Sequence, residues 1–255
     1  TRHINMRTVV YRLLFVTPFV FLLFHLQARD TDSERAAPNQ LTPAERAAGW
    51  RLLFDGKTTK GWRGFRQVGF PAKGWVVEQG CFKHNLHGGG GDIITDEVFD
   101  EFELEFEWKL AAGSNSGVKY FVLEERPEAI GHEYQVIDDP AYDFDKPNSK
   151  HRTAAFYDVL PLSNVVSPRP PGQFNSSRIL VYGRQVEHWL NGVEVLAYEL
   201  GAPELLTAVA LSKFKDVRGF GTKVKGHLLL QDHGGEVWFR NLKIRASTAV
   251  LPASQ

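Results

Sequence analysis

Cysteine is nearly absent: Cys81 is the single one in 255 residues. A lone thiol closes no internal disulfide and, outside a Cys-rich setting, makes a poor zinc centre, so a disulfide scaffold and a zinc finger are both excluded. Excess charge is missing too, because thirty Lys and Arg offset thirty Asp and Glu. With no basic field to hold a phosphate backbone, nucleic acid is excluded as a partner. No repeat of 20 to 50 residues appears, and strands do not alternate with long helical stretches, which removes solenoids and doubly wound α/β folds. What is present is a globular composition, 43% hydrophobic and 24% charged, with 23 Gly, 13 Pro and 12% aromatics. Many short strands joined by tight turns need that mixture, and so does a cleft that stacks sugars.

Arg7 and Arg12 precede an apolar run, Leu13 to Leu26, with the small residue Ala28 behind it. The run is interrupted by Thr17, Pro18 and His25 and is shorter than the roughly 20 apolar residues of a bilayer span. Residues 1–28 therefore read as a secretory signal peptide, and no stable membrane insertion is expected after its removal. Its loss takes Arg2, Arg7 and Arg12 and no acid, leaving a mildly acidic remainder. Export together with an unpaired thiol suits a bacterial periplasm, or secretion, better than a disulfide-built extracellular module. Residues 29–41 are polar, contain Pro38 and show no periodicity, so they read as a flexible tether; 42–247 form one domain and 248–255 a C-terminal tail.

Thr42-Pro43-Ala44-Glu45 has capping-box spacing with Pro in the first turn, and Gly49 follows as a stop, predicting one short N-terminal helix. From Trp50 onward the signals are almost all β. Phe102, Leu104, Phe106, Trp108 and Leu110 alternate with Glu101, Glu103, Glu105, Glu107 and Lys109, the period of a strand with one core face and one wet face. Asn191-Gly192 between Val186–Leu190 and Val193–Ala197 is a hairpin signal, since both turn residues tolerate positive φ. Leu228–Gln231 and Glu236–Ile244 flank Asp232-His233-Gly234-Gly235 and read as a second hairpin. In that last strand Val237 and Phe239 share one parity and Leu242 and Ile244 the other, which predicts a β-bulge near Arg240-Asn241. The fold class is all-β, an antiparallel two-sheet sandwich.

Several stretches invite chemistry. His84 and His87, ahead of Gly88–Gly91, lack a third nearby ligand and read as surface residues beside a flexible loop; the glycine run lacks the Lys-Ser/Thr of a phosphate loop. His188 reads as a sheet-surface residue and Lys150-His151-Arg152 as part of a solvated loop. Trp62 and Phe65 are the expected exposed aromatic pair. The most informative segment is Gly131 to Asp139: alternation puts Glu133, Gln135 and Ile137 on one sheet face and His132, Tyr134, Val136 and Asp138 on the other. An acid and an amide facing a core would each cost a few kcal/mol without partners, so Glu133 and Gln135 line a polar cleft or face solvent. Asn115-Ser116-Gly117 is either a turn or a rigid rim that offers the Asn115 amide to a pair of sugar hydroxyls. The pattern Glu-x-Asp-x-Glu of laminarinase-type sandwich glycosidases occurs nowhere, so the two-carboxylate machinery of ordinary glycoside hydrolysis is not visible.

Taken together, these motifs resemble the 3-keto-disaccharide hydrolase family, whose fold is a concanavalin-A-like, laminarinase-like jelly roll. The resemblance runs from Trp50 with Leu53-Phe54-Asp55-Gly56-Lys57 through Asn115-Ser116-Gly117 and Gly131-His132-Glu133-Tyr134-Gln135. It continues through Tyr157-Asp158, His188-Trp189-Leu190-Asn191-Gly192 and Leu230-Gln231-Asp232-His233-Gly234 to Phe239-Arg240-Asn241. Two departures are Tyr120-Phe121 where the family often has an Arg, and Ala154-Ala155-Phe156-Tyr157 for the commoner Gly-Ala-Leu-Tyr. The resemblance implies cleavage of 3-keto glycosides, in which the C3 carbonyl acidifies the proton at C2. A base removes that proton, the aglycone leaves C1 and water adds back. One general base, an acid for the leaving oxygen and donors for the enolate are then needed. On this reading Glu133 is the base and His233 the acid, with Asn115, Gln135, Lys119 and Asp232 as substrate contacts and a sugar 3-dehydrogenase as upstream partner. No spacing demands a cofactor; a divalent cation in place of the enolate donors would draw on His132, Asp138 or His233. A non-catalytic carbohydrate-binding module and an ordinary glycosidase with an unrecognised acid pair are the competing readings.

Overall fold

The computed structural model describes residues 37–247. The expected signal peptide, the first part of the tether and the C-terminal tail lie outside the described residues. Alternating apolar residues give two antiparallel sheets packed face to face, the jelly-roll sandwich expected from the sequence. The larger has eight strands, seven of them in the order β11 (Val193–Glu199), β10 (Gln185–Leu190), β9 (Asn175–Tyr182), β6 (Phe102–Leu110), β13 (Val237–Arg245), β4 (Cys81–His84) and β3 (Trp75–Glu78). A short β1 (Arg51–Leu52) also pairs with β13. The smaller sheet runs β2 (Trp62–Gly64), β5 (Ile93–Phe99), β12 (Gly226–Leu230), β7 (Asn115–Val122) and β8 (His132–Ile137).

The core lies between the sheets. Phe106 of β6 meets Tyr134 of β8 edge to face at 5.5 Å, and the Tyr134 hydroxyl and Trp108 Nε1 both reach Ser177 Oγ, each at 2.8 Å. Burying a tyrosine and a tryptophan is affordable only with their polar ends so engaged. The opposite face of β6 is not simply wet. Glu103 is buried against Arg178 and Arg245, Glu105 meets Lys243 at 2.8 Å and Glu107 meets Arg240 at 2.7 Å, an ion-pair ladder across neighbouring strands.

The local signals are largely realised. Thr42 caps α1 (Pro43–Ala47) with both halves of the capping box formed. Asn191 and Gly192 take positive φ between β10 and β11. The register of β13 shifts between Arg240 and Lys243, and Val237, Phe239, Leu242 and Ile244 are all buried.

Other expectations are corrected. Asp232–Gly235 is not a hairpin, because β12 and β13 belong to different sheets; the segment crosses from one sheet to the other. A second helix, α2 (Pro203–Ala210), buries Leu205 and Val209. Trp62 is buried, its indole N–H donating to Leu53 O at 2.7 Å. His188 lies in the core, bonded to Ala154 O at 2.9 Å and the Tyr120 hydroxyl at 3.0 Å, and burial pushes its pKa down to about 4. Arg152 is buried as well, reaching the Asp145 carbonyl at 3.3 Å. At the tether's end Asn39 is docked, its amide donating to Gly80 O at 2.8 Å and its Oδ1 accepting from Asn241 N at 2.9 Å.

Candidate active site

Four neighbouring strands of the smaller sheet build one groove. Register pairs Gly117 with Gln135 and Lys119 with Glu133, while Gln231 N donates to Gly117 O at 3.0 Å. The row across β5, β12, β7 and β8 therefore presents Asp92, Gln231, Lys119, Glu133 and Gln135 to one space of about 380 Å³. Asn115 and His233 line the same groove, as do Tyr157, Lys213 and Phe214. The outer edge of β8 is closed by the segment bearing Tyr157, whose N–H donates to Glu133 O at 3.1 Å, so the edge is paired and the groove gains a wall.

Alternation on β8 places residues as expected: His132, Tyr134 and Val136 enter the core, and Glu133 and Gln135 face the groove. Glu133 is only 5% exposed. Gly117 makes room for it, since a Cβ there would stand 2.7 Å from Glu133 Oε1. Burial raises the Glu133 pKa; Lys119 and Lys213 draw it back down, and Asp92 adds to the rise. A buried, electrostatically tuned carboxylate in a cleft is the profile of a general base.

Lys119 stands between two acids. Its ammonium donates to Ala129 O at 3.1 Å and lies 4.0 Å from Glu133 Oε2 and 3.9 Å from Asp92 Oδ2. Asp92 is itself shifted up by burial, against the pull of Lys119 and of the Asp232 N–H that it accepts at 2.8 Å. Lys213 lies over the Tyr157 ring at 4.3 Å. Asn115 and Gln231 each carry a buried amide oxygen with no hydrogen-bond partner. An unmet amide oxygen costs about 1–3 kcal/mol. Two of them lining one groove suit a ligand rich in hydroxyl groups.

The Asp232–Gly235 crossover forms one rim. His233 is exposed there. Asp232, expected as a substrate contact, does not line the groove: its carboxylate accepts from Gly91 N at 3.0 Å and Gly234 N at 2.9 Å and meets His84 Nε2 at 3.0 Å. It positions the rim. His84 is correspondingly buried rather than superficial, its Nδ1 facing Gly235 O at 3.0 Å, and the glycine run is tied down by Gly91 O accepting from Trp75 Nε1 at 2.9 Å. His87 is exposed, as expected.

The candidate cation ligands do not converge. His132 is buried among aromatic rings with Nε2 accepting from Gly221 N at 3.1 Å and its pKa pushed down to about 3 by burial, and Asp138 Oδ2 accepts from Gly113 N at 2.7 Å away from the groove. Among the described residues no cluster of three or more His, Cys, Asp or Glu is placed to hold a metal. A recess of about 440 Å³ on the larger sheet is lined by Glu105, Glu107, Arg178 and Lys243, whose charges are already paired with one another or with neighbours. The groove on the smaller sheet carries the two unmet amide oxygens, of Asn115 and Gln231.

Residues 49–245 match the sequence model of a family described as the 3-keto-alpha-glucoside-1,2-lyase-like domain. The chain belongs to this family. The 3-keto-alpha-glucoside-1,2-lyase-like domain thus spans the whole sandwich and every groove residue. The chain is 35% identical over 231 residues to the 3-keto-disaccharide hydrolase of Bacteroides thetaiotaomicron, covering 78% of this chain and 79% of the relative. A crystal structure of a putative glycosyl hydrolase from Parabacteroides distasonis superposes with a TM-score of 0.73 at 32% identity, covering 83% of this chain and all of that one. A second P. distasonis structure of the same description, at TM-score 0.62 and 24% identity over 78% of this chain and 99% of that one, shares the fold.

Sequence reasoning missed Asp92, Gln231, Tyr157 and Lys213. Tyr157 lies within the Tyr157-Asp158 motif, and Gln231 ends the strand expected over Leu228–Gln231. Asp92 and Lys213 carry no local signal and arrive through sheet order and the loop after α2.

Proposed function

We propose that this protein cleaves the glycosidic bond of 3-keto sugars by removing the proton at C2. The observation that carries the reading is Glu133: a buried carboxylate with a raised pKa, beside an ammonium, in a groove where the Asn115 and Gln231 amide oxygens lack partners. Glu133 takes the C2 proton and the C–H electrons form an enolate with the C3 carbonyl. The Lys119 ammonium is the cation nearest that carboxylate and stabilises the oxyanion; charge that develops in a dry site is where a preorganised donor counts most. The enolate re-forms the carbonyl, C1=C2 closes and the C1–O bond breaks. Water then adds at C1, and Glu133 returns a proton to C2. Asn115 and Gln135 hold sugar hydroxyls. Protonating the departing oxygen requires a further donor, the part the family resemblance gives to His233.

The relative named 3-keto-disaccharide hydrolase supports the substrate class. A dehydrogenase that oxidises C3 of the sugar is the reaction that must precede this one. The apolar run of residues 13–26 supports export to a periplasm or beyond it. The test is to incubate the protein with a glucoside and with its 3-keto derivative. Aglycone is expected from the keto sugar alone. Release from the plain glucoside would overturn the reading, and binding of both without turnover would make the protein a carbohydrate-binding module.

A further inference from the structure

The groove holds a second, half-buried acid that the sequence pattern did not pair with Glu133. Asp92 precedes β5, two strands away from β7, and the Asp92 side chain is only 16% exposed. Its Oδ1 accepts from the Asp232 N–H, and its Oδ2 lies 3.9 Å from the Lys119 ammonium, which stands 4.0 Å from Glu133 Oε2. Glu128, the other acid lining the groove, is exposed, and so is His233 on the rim. The two carboxylates thus share one ammonium, with the sugar-sized space beside them. Resting on the 3-keto glycoside reading above, we propose that Asp92, rather than His233, is the acid that protonates the departing glycosidic oxygen.

The charges divide the two roles. Both acids face the one Lys119 ammonium and burial raises both of them, which favours a proton on the pair. Glu133 has a second ammonium, Lys213, acting on it, whereas Asp92 has the Asp232 carboxylate as its neighbour. In the proposed cycle Glu133 starts ionised, to take a proton, and Asp92 starts protonated, to give one. In the elimination, Glu133 gains the C2 hydrogen and Asp92 gives its hydrogen to the oxygen leaving C1. In the hydration, the Asp92 carboxylate takes a hydrogen from water as the water oxygen bonds to C1, and Glu133 gives its hydrogen back to C2. Both acids end as they began, and the sum is one water consumed for one aglycone released.

A leaving-group comparison tests the assignment, using 3-keto glucosides that release methanol or a nitrophenol. General acid catalysis contributes roughly 10²–10⁴-fold where the leaving oxygen is basic and little where it leaves unaided. Asp92→Asn should therefore slow the methyl substrate by about 100-fold or more, hold the nitrophenyl substrate within a few-fold, and keep C2 deuterium exchange. His233→Gln should slow the two substrates alike. Equal loss on both substrates for Asp92→Asn, no loss on either, or the selective pattern from His233→Gln would overturn the proposal. Should Asp92→Asn fold poorly, the wild-type protein suffices: its rate across aryl leaving groups of graded acidity should be nearly flat, and a steep dependence would count against an internal acid. A wild-type protein that leaves both 3-keto glucosides intact and exchanges nothing at C2 would instead overturn the underlying reading, and the Asp92 role with it.

Discussion

Gly117→Ala isolates the placement of Glu133 from the stability of the fold. Gly117 lies in β7 opposite Gln135, and an added Cβ would sit 2.7 Å from Glu133 Oε1, 3.0 Å from its Cγ and 3.1 Å from its Cδ. Ordinary carbon contacts lie at about 3.5–4.0 Å, so the carboxylate must retreat by about 1 Å. Only the end of one side chain has to move. Gly117 is not among the glycines with positive φ, so alanine fits the strand backbone, and the entropy lost from the unfolded chain offsets part of the crowding by about 0.4–1 kcal/mol. Thermal unfolding should thus stay within a few degrees of wild type. A displacement of about 1 Å at a reacting group costs on the order of 100-fold in rate. With a 3-keto glucoside as substrate, kcat should fall by about that factor while KM changes little, because Asn115, Gln135 and Gln231 are untouched. A kcat within about threefold of wild type would refute the role given to Glu133. Loss of the fold would refute the claim that the carboxylate absorbs the clash.

Glu133→Gln should stabilise the protein near neutral pH. The folded pKa of Glu133 is raised, so between its unfolded and folded values the native state binds more protons and stability falls as pH rises. Glutamine removes that penalty, and the gain in melting temperature should vanish below the unfolded pKa of a glutamate; a pH-independent or negative shift would contradict the assignment of burial as the dominant cause. Thr42→Ala breaks the capping box of α1 and should cost about 1 kcal/mol in urea unfolding, with no cost indicating that α1 frays independently of the sandwich. Cys81 is buried and its thiol is pushed up by burial, so an aromatic disulfide reagent should label it only on unfolding; rapid labelling of the native protein would contradict its place in β4.

Features fixed by neighbours in the chain were legible before the fold was known. The alternation of Glu133 and Gln135 with Tyr134 and Val136, the Asn191-Gly192 turn, the parity break in β13 and the Thr42 cap each follow from local stereochemistry. Features fixed by partners far along the chain were not. The Asp232–Gly235 segment has turn residues that suit a hairpin or a crossover equally, and only the pairing of β12 with β5 and β7 decides between them. His84 looked like a surface residue because its acceptors, Gly235 O and the Asp232 carboxylate, arrive from some 150 positions away. Asp92 escaped the search for paired acids for the same reason, since its partner sits across the sheet rather than two residues along one strand. The helix α2 opens on Pro203 and buries only Leu205 and Val209, too short an apolar stripe to stand out from the β patterns around it.

The most direct test of the account follows the hydrogen at C2 by NMR when a 3-keto glucoside is incubated in deuterium oxide. The wild-type protein should wash that hydrogen out into solvent, and Glu133→Gln, folded by circular dichroism, should leave it in place. Cleavage with the original C2 hydrogen fully retained, or undiminished exchange by Glu133→Gln, would contradict proton abstraction by Glu133.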